Sequence, residues 1–521
     1  MPHRSAPESP PVRSADLVVV GAGSAGAVIA ARVSEREGRE VLLLEAGPDY
    51  PDITRLPADL LDGTRNSWRV HDWGYVFAPT PGQMQLYFPR GKVVGGSSSV
   101  NTCIALRPQP YDLDEWAAMG LPEWSFERCL PYLRRLEDDR DFPDAPWHGR
   151  GGPVPIRRHT PDELTPWQAA FVAACRAHGY PDCVDTNDPA TRGGVGPHAM
   201  NKIDGVRMSA ARCYLTPEVR RRPNLRLVPN ALVRRVLVRN GRAEGVEIEV
   251  GDRVEVVRAK EVVLSAGAIA TPGILLRSGI GPRADVARLG VELVADVPAV
   301  GARLLDHPGS VMAMWPRWGA ASIRGPLIQT VLRYTSKDSP FPNDMQLQPG
   351  SFFPLTKRLT APAVAIACCV GKPRGHGLIR FTSADPRAAP RIEGRLLMHP
   401  DDHARAVEAL QLGYELAREG PLRKLARFLF PGEQTLARRD ALAGVIHRIS
   451  GSGYHPCGTV PMGADGDPRA AVDGRGRVRG VAGLVVADAS IMPTVPSSNT
   501  NLTALMIGER FGEWLREGAL D

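Results

Sequence analysis

The chain has 521 residues, of which 43% are hydrophobic and 23% charged, and its formal net charge is +7. That length exceeds one ordinary compact core, so two domains or one composite domain are expected. The modest charge, with no recognisable binding module, argues against a nucleic-acid partner. No run approaches the roughly 18 apolar residues of a transmembrane helix. Eight cysteines without a CxxC pair or a zinc-like cluster predict reduced thiols, no metal site and a cytoplasmic location.

The opening segment, MPHRSAPESPPVRS (1–14), is rich in Pro, Ser and Arg and reads as a flexible tail. Asp16 to Val20 (DLVVV) then reads as a buried parallel strand. GAGSAG follows, with glycines at 21, 23 and 26, and AVIAARVSE reads as a helix of small and apolar residues. A second apolar strand, VLLLE, ends at Glu45. The distance from the glycine turn to this acid matches the roughly 20-residue interval of a ribose-binding carboxylate.

Each part of this unit has a physical role. Gly21 permits the tight turn, Gly23 lets backbone approach a pyrophosphate, and Gly26 lets helix and strand pack closely. Free N–H groups at the helix start, around Ser24 and Ala25, favour an anion. Glu45, followed by Ala46, is placed to accept hydrogen bonds from ribose hydroxyls, and an acid there argues against a 2′-phosphate. FAD and NAD both stay open at this point. The chain has one such motif, so one bound dinucleotide is expected.

Four further Gly/Ser/Thr-rich stretches are spread along the chain: RGKVVGGSSSVN (90–101), GAIATPGILLRSGIG (267–281), GYHPCGTVPMG (453–463) and VADASIMPTVPSSNTNLTALMIGE (486–509). Taken with the first motif, their order and spacing resemble the glucose–methanol–choline (GMC) family of flavin-dependent oxidoreductases, from Asp16 to about Trp514. Within the family the motifs resemble those of bacterial choline-oxidase-like and hydroxymethylfurfural-oxidase-like members.

The resemblance implies an α/β fold: a Rossmann-like FAD-binding domain, discontinuous in sequence, with a substrate domain of antiparallel sheet plus helices. It implies a tail at 1–14, FAD-binding segments at 15–155, 200–309 and 446–521, a connecting segment at 156–199 and a substrate domain at 310–445. FAD is the implied cofactor. Gly21, Gly23, Ser24, Ala25, Gly26, Glu45 and Ala46 would hold its ADP half, with Val233 at the adenine. Val94, Gly96, Ser97, Asn101 and Thr102 would lie beside the ring and pyrophosphate, Asp488 and Ala489 at the ribitol or pyrophosphate, and Asn499 and Thr500 near the ring. Val100 stands where some relatives carry a histidine bonded to the flavin, so FAD is expected to be non-covalent.

Alcohol oxidation needs a base, and histidine suits neutral pH. Of twelve histidines, His455 lies in GSGYHPCGT, which resembles the family's catalytic loop; the other eleven read as surface, capping or core residues. The resemblance makes His455 the base and Asn499 its partner at the substrate oxygen. The expected reaction oxidises an alcohol to an aldehyde or ketone, with hydride passing to flavin N5 and O2 returning H2O2. The alternatives are an FAD dehydrogenase using a quinone or protein acceptor, an NAD-dependent dehydrogenase, and a non-enzymatic flavin-binding protein. Trp73, Gln346, Gln348 and Phe353 are candidate substrate contacts, and Trp68, Tyr75 and Phe77 belong to an expected cavity lid. An apolar or aromatic primary alcohol is favoured over choline, and the protein is expected as a monomer or dimer.

Overall fold

The computed structural model describes residues 14–67, 70–317, 319–321, 323–354 and 360–518, the side chains of 353, 354, 360 and 361 excepted. The expected tail and Trp68 therefore lie outside the described residues, except that Ser14 already opens the first strand.

The apolar run DLVVV forms the strand Ser14–Val20 at the centre of a mostly parallel sheet. It pairs in parallel with Val41–Leu44 on one side and Arg253–Leu264 on the other. Leu225–Val228 extends the sheet beyond Val41–Leu44, and Leu484–Val486 adds a parallel partner to Arg253–Leu264. Ala231–Arg239 and Arg242–Val250 complete it as an antiparallel hairpin. Every residue of Val41–Leu44 is buried, which explains an unbroken apolar run where a half-exposed strand would alternate.

The helix Ser24–Val33 leaves the first strand through the glycine turn and packs on the C-terminal helix Thr500–Glu517. Small residues make that contact possible: a Cβ added at Gly508 would stand 2.8 Å from the Ala25 carbonyl oxygen. The packing brings the start of the last helix beside the first, where Ser24 Oγ donates to Asn501 Oδ1 at 2.8 Å.

A second sheet is antiparallel throughout. Its order is Ala426–Phe430, Pro308–Pro316, Val364–Val370, Met345–Gly350, Thr330–Tyr334 and Gly194–Pro197. Ser450–Ser452 pairs with the start of Pro308–Pro316, so this sheet continues past residue 445. The helices Pro166–Ala177 and Pro400–Arg418 share its core. The expected strand in DMQLQPGSFF forms at Met345–Gly350, buried from Met345 to Pro349 between two neighbouring strands. The fold is thus the expected α/β nucleotide-binding architecture joined to an antiparallel sheet with helices.

The glycine turn is tightly packed. A Cβ at Gly26 would lie 1.9 Å from the Gly21 carbonyl oxygen, whereas one at Gly420 would meet nothing within 4 Å. Gly26→Ala should lower stability by about 1–3 kcal/mol or more through overpacking. Gly420→Ala should be neutral or stabilising. Urea unfolding of the two variants beside the parent checks the contrast; equal midpoints would refute it.

Candidate active site

A cavity of about 990 Å³ runs between the two sheets. At one end it is built from backbone. Gly21 (φ +96°) turns the chain, and a Cβ there would sit 2.5 Å from the Ser265 carbonyl oxygen. Gly23 caps the helix Ser24–Val33 without a side-chain hydrogen bond, so N–H groups of the first turn have no side-chain cap. The Gly95 N–H donates to the Ala22 carbonyl oxygen at 2.7 Å. A Cβ at Gly96 would stand 2.7 Å from Gly23 Cα, so the two glycine loops meet backbone to backbone.

Glu45 sits at this end, accepting from the Ala22 N–H at 3.0 Å and the Gly47 N–H at 2.9 Å. Burial, partly offset by those bonds, pushes its pKa up to about 7. Asp488 accepts from the Gly267 N–H, Thr271 Oγ1 and the Ser490 N–H, and burial raises its pKa as well. Ser24, Ala25, Ala46, Ser97, Asn101, Thr102, Val233, Ala489 and Thr500 also line the cavity.

Three of the expected site residues do not line it. Gly26 packs the turn from behind. Val94 is buried, with its N–H on the Pro48 carbonyl at 3.0 Å and its own carbonyl accepting from Ser99 Oγ at 3.1 Å. Gln346 donates to the Ser497 carbonyl at 2.8 Å and accepts from Gln348 at 2.9 Å, so it orients Gln348, which does face the cavity. Trp73 faces it too, stacked on Tyr75 at 5.9 Å. Phe77 is core, packed on Phe88 at 4.6 Å, and the Phe353 side chain lies outside the described residues.

His455 and Asn499 converge at the far end of the nucleotide cradle. His455 Nε2 lies 3.0 Å from Asn499 Nδ2. Strand register explains the placement: Pro308↔Ser452 pairing sets Gly453–His455 beside Asp306 and His307. The His455 N–H donates to Asp306 Oδ1 at 2.9 Å, and Ser452 Oγ donates to Asp306 Oδ2. Burial raises Asp306 to about 6. His307 was expected to be an ordinary surface, capping or core histidine, yet its Nδ1 lies 2.8 Å from Nδ1 of His455. Nothing local in LLDHPG signals this contact, because it arises from pairing with the remote strand Ser450–Ser452. Arg90 also enters the site, its Nη2 donating to the Tyr454 carbonyl at 2.7 Å. Burial first, then His307 and Arg90, pulls the His455 pKa well below the ordinary value, so the ring is a neutral base at pH 7.

Two buried polar atoms at the cavity, Asn499 Oδ1 and Asn501 Nδ2, have no protein partner among the described residues. Together with the bare helix start and the glycine seam, they fit a dinucleotide that carries a flat ring with a polar edge.

His148, Glu137 and Asp139 have metal-like spacing elsewhere in the chain. Arg107 and Arg158 ion-pair with Glu137 and Asp139, and bonds to Asp185 and Glu137 outweigh burial and raise His148 to about 9, so at neutral pH the ring is a cation that donates to these carboxylates.

Models of the GMC oxidoreductase family match residues 15–309 and 373–508. The chain is 36% identical to a 5-(hydroxymethyl)furfural oxidase of Methylovorus sp., covering 96% of this chain and 98% of that one. It is 33% identical to an oxygen-dependent choline dehydrogenase of Sinorhizobium fredii, covering 95% and 94%. The crystal structure of pyridoxine 4-oxidase from Mesorbium loti superposes with a TM-score of 0.88 at 29% identity, over 96% of this chain and 99% of that one.

Glu45 gives a pH test of the cradle. Its folded pKa, about 7, exceeds the ordinary 4.5, so the folded state holds the proton more tightly than the unfolded chain. That contribution is full below pH 4.5 and is lost as pH rises through 7. In cofactor-free protein, unfolding free energy should fall by about 3 kcal/mol more in the parent than in Glu45→Gln across this window. Parallel pH profiles for the two proteins would refute the assignment.

Proposed function

The chain belongs to the GMC oxidoreductase family and is an FAD-dependent enzyme of alcohol oxidation; on that premise we propose that His455 is its base, Asn499 the hydrogen-bonding group at the substrate oxygen, and dioxygen its electron acceptor. The observation that carries the reading is the His455–Asn499 contact of 3.0 Å at the end of the nucleotide cradle. FAD, when bound, would supply a two-electron acceptor for the alcohol's hydride, and dioxygen would take up those two electrons with two protons to give hydrogen peroxide.

The chain's own residues do the rest. Gly21, Gly23 and the helix start would hold the pyrophosphate, Glu45 the ribose and Val233 the adenine. Gly96, Ser97, Asn101, Thr102 and Thr500 would flank the ring, with Asp488 and Ala489 at the ribitol. Val100 lines the cavity and has no nucleophile, which supports non-covalent FAD. His455 Nε2 takes the hydroxyl proton, and an amide at Asn499 can hydrogen-bond the oxygen but cannot compete for that proton. The nucleotide domain is assembled from 15–155, 200–307 and 453–518, and the substrate domain from 156–199 and 308–452, because Ser450–Ser452 pairs with Pro308–Pro316 in the second sheet.

The substrate we favour is a neutral apolar or aromatic primary alcohol. Leu86, Trp315, Leu429 and Phe430 form an exposed apolar rim. The carboxylates lining the cavity, Glu45 and Asp488, sit at the nucleotide end and already accept protein hydrogen bonds, which disfavours a quaternary ammonium such as choline. The names of the relatives, two oxidases and an oxygen-dependent dehydrogenase, support oxygen as acceptor. Among the described residues no helix is long and apolar enough to cross a membrane. Eight unpaired cysteines support a reducing cytoplasm.

His455→Ala should slow anaerobic flavin bleaching by alcohols about 10²–10⁴-fold with FAD retained; an unchanged rate would exclude His455 as base. Admitting air after an anaerobic screen of benzylic, furanic and aliphatic alcohols should yield peroxide in step with aldehyde. Aldehyde formed only when a quinone is added would favour the dehydrogenase. Acid precipitation should leave the yellow colour in the supernatant, and a yellow pellet would show a covalent link.

A further inference from the structure

The hydrogen bonds around His307 determine where the proton of His455 sits. His307 Nε2 faces two backbone carbonyl oxygens, Pro496 at 2.8 Å and Gly371 at 3.0 Å. A carbonyl only accepts, so Nε2 carries a proton. Burial holds the His307 pKa down at about 4, so at neutral pH this is its single ring proton and Nδ1 is a bare lone pair. That lone pair is 2.8 Å from His455 Nδ1. Two lone pairs cannot share such a contact, so His455 must donate from Nδ1. Its Nε2 is then unprotonated, facing the Asn499 amide and the cavity.

We propose that His307 is a positioning residue: held by the Gly371 and Pro496 carbonyls, it locks His455 in the tautomer whose Nε2 lone pair meets the substrate hydroxyl. The near-perpendicular rings, 82° apart, let one nitrogen lone pair receive the other ring's in-plane N–H. When the hydroxyl proton moves to Nε2, His455 becomes doubly protonated and still donates from Nδ1; His307 gains and loses nothing. The carbonyls come from the end of the strand Val364–Val370 and from the loop that precedes Asn499, so one ring ties the base to the segment bearing its partner.

The inference rests on His455 being the base, and the two are separable. In FAD-loaded enzyme, His307→Leu removes the acceptor, while His307→Gln offers an amide oxygen to His455 and N–H groups to the carbonyls. The leucine variant should reduce flavin on the order of 10- to 100-fold more slowly, the cost of losing an outer partner that orients a functional imidazole, with KM little changed. The glutamine variant should recover part of the rate. Nitrogen-15 NMR of histidine-labelled parent, with the His455 signals identified by their loss in His455→Ala, should show a protonated Nδ1 and a bare Nε2. This last measurement needs no His307 variant to fold. A His455 protonated at Nε2 in the parent, or a leucine variant with the parent rate, would overturn the proposal. An unimpaired His455→Ala would instead sink the base assignment beneath it.

Discussion

The whole site hangs on a seam of backbone that has no room for side chains. Gly21 presses on Ser265, Gly26 on Gly21, and Gly96 on Gly23, each so closely that a single added carbon would collide. The seam joins three distant parts of the chain at the end of one buried parallel sheet, and leaves amide groups as the surface that meets a ligand. Side chains would have supplied bulk and rotamer freedom; backbone supplies fixed dipoles that need no ordering when a charged ligand arrives.

The end that holds His455 and Asn499 is organised by a different device. Strand pairing between Pro308–Ser310 and Ser450–Ser452 holds two loops in register, and Asp306 bonds both the His307 and His455 backbone N–H groups. Buried polar groups are acceptable here because most of them have a partner. The orphaned atoms, Asn499 Oδ1 and Asn501 Nδ2, face the cavity.

The nucleotide half was readable in the sequence because its physics is local. A strand, a glycine turn, a helix and a terminal acid follow one another in a single short unit, and the parallel sheet is written as unbroken apolar runs. His455 and Asn499 were legible through motifs that resemble a family's. Val94 and Gln346 show the limit of such reading: a resemblance does not say whether a residue faces a ligand or packs behind one that does. His307 shows a harder limit. Its neighbours are set by tertiary register, and no pattern in LLDHPG encodes a partner 148 positions away. The strands Gly194–Pro197 and Ser450–Ser452 were likewise invisible, being short and glycine- or serine-rich, with pairing decided by the sheet they join.

The hydrogen-bonded cluster of Asp306, His307, Gly371, His455, Pro496 and Asn499 lies far downstream of the glycine turn. A ribosome-bound chain therefore presents those glycines long before Asn499 emerges, and until then it has no His455–Asn499 pair. The His455–Asn499 contact forms only when both sheets are in place around it.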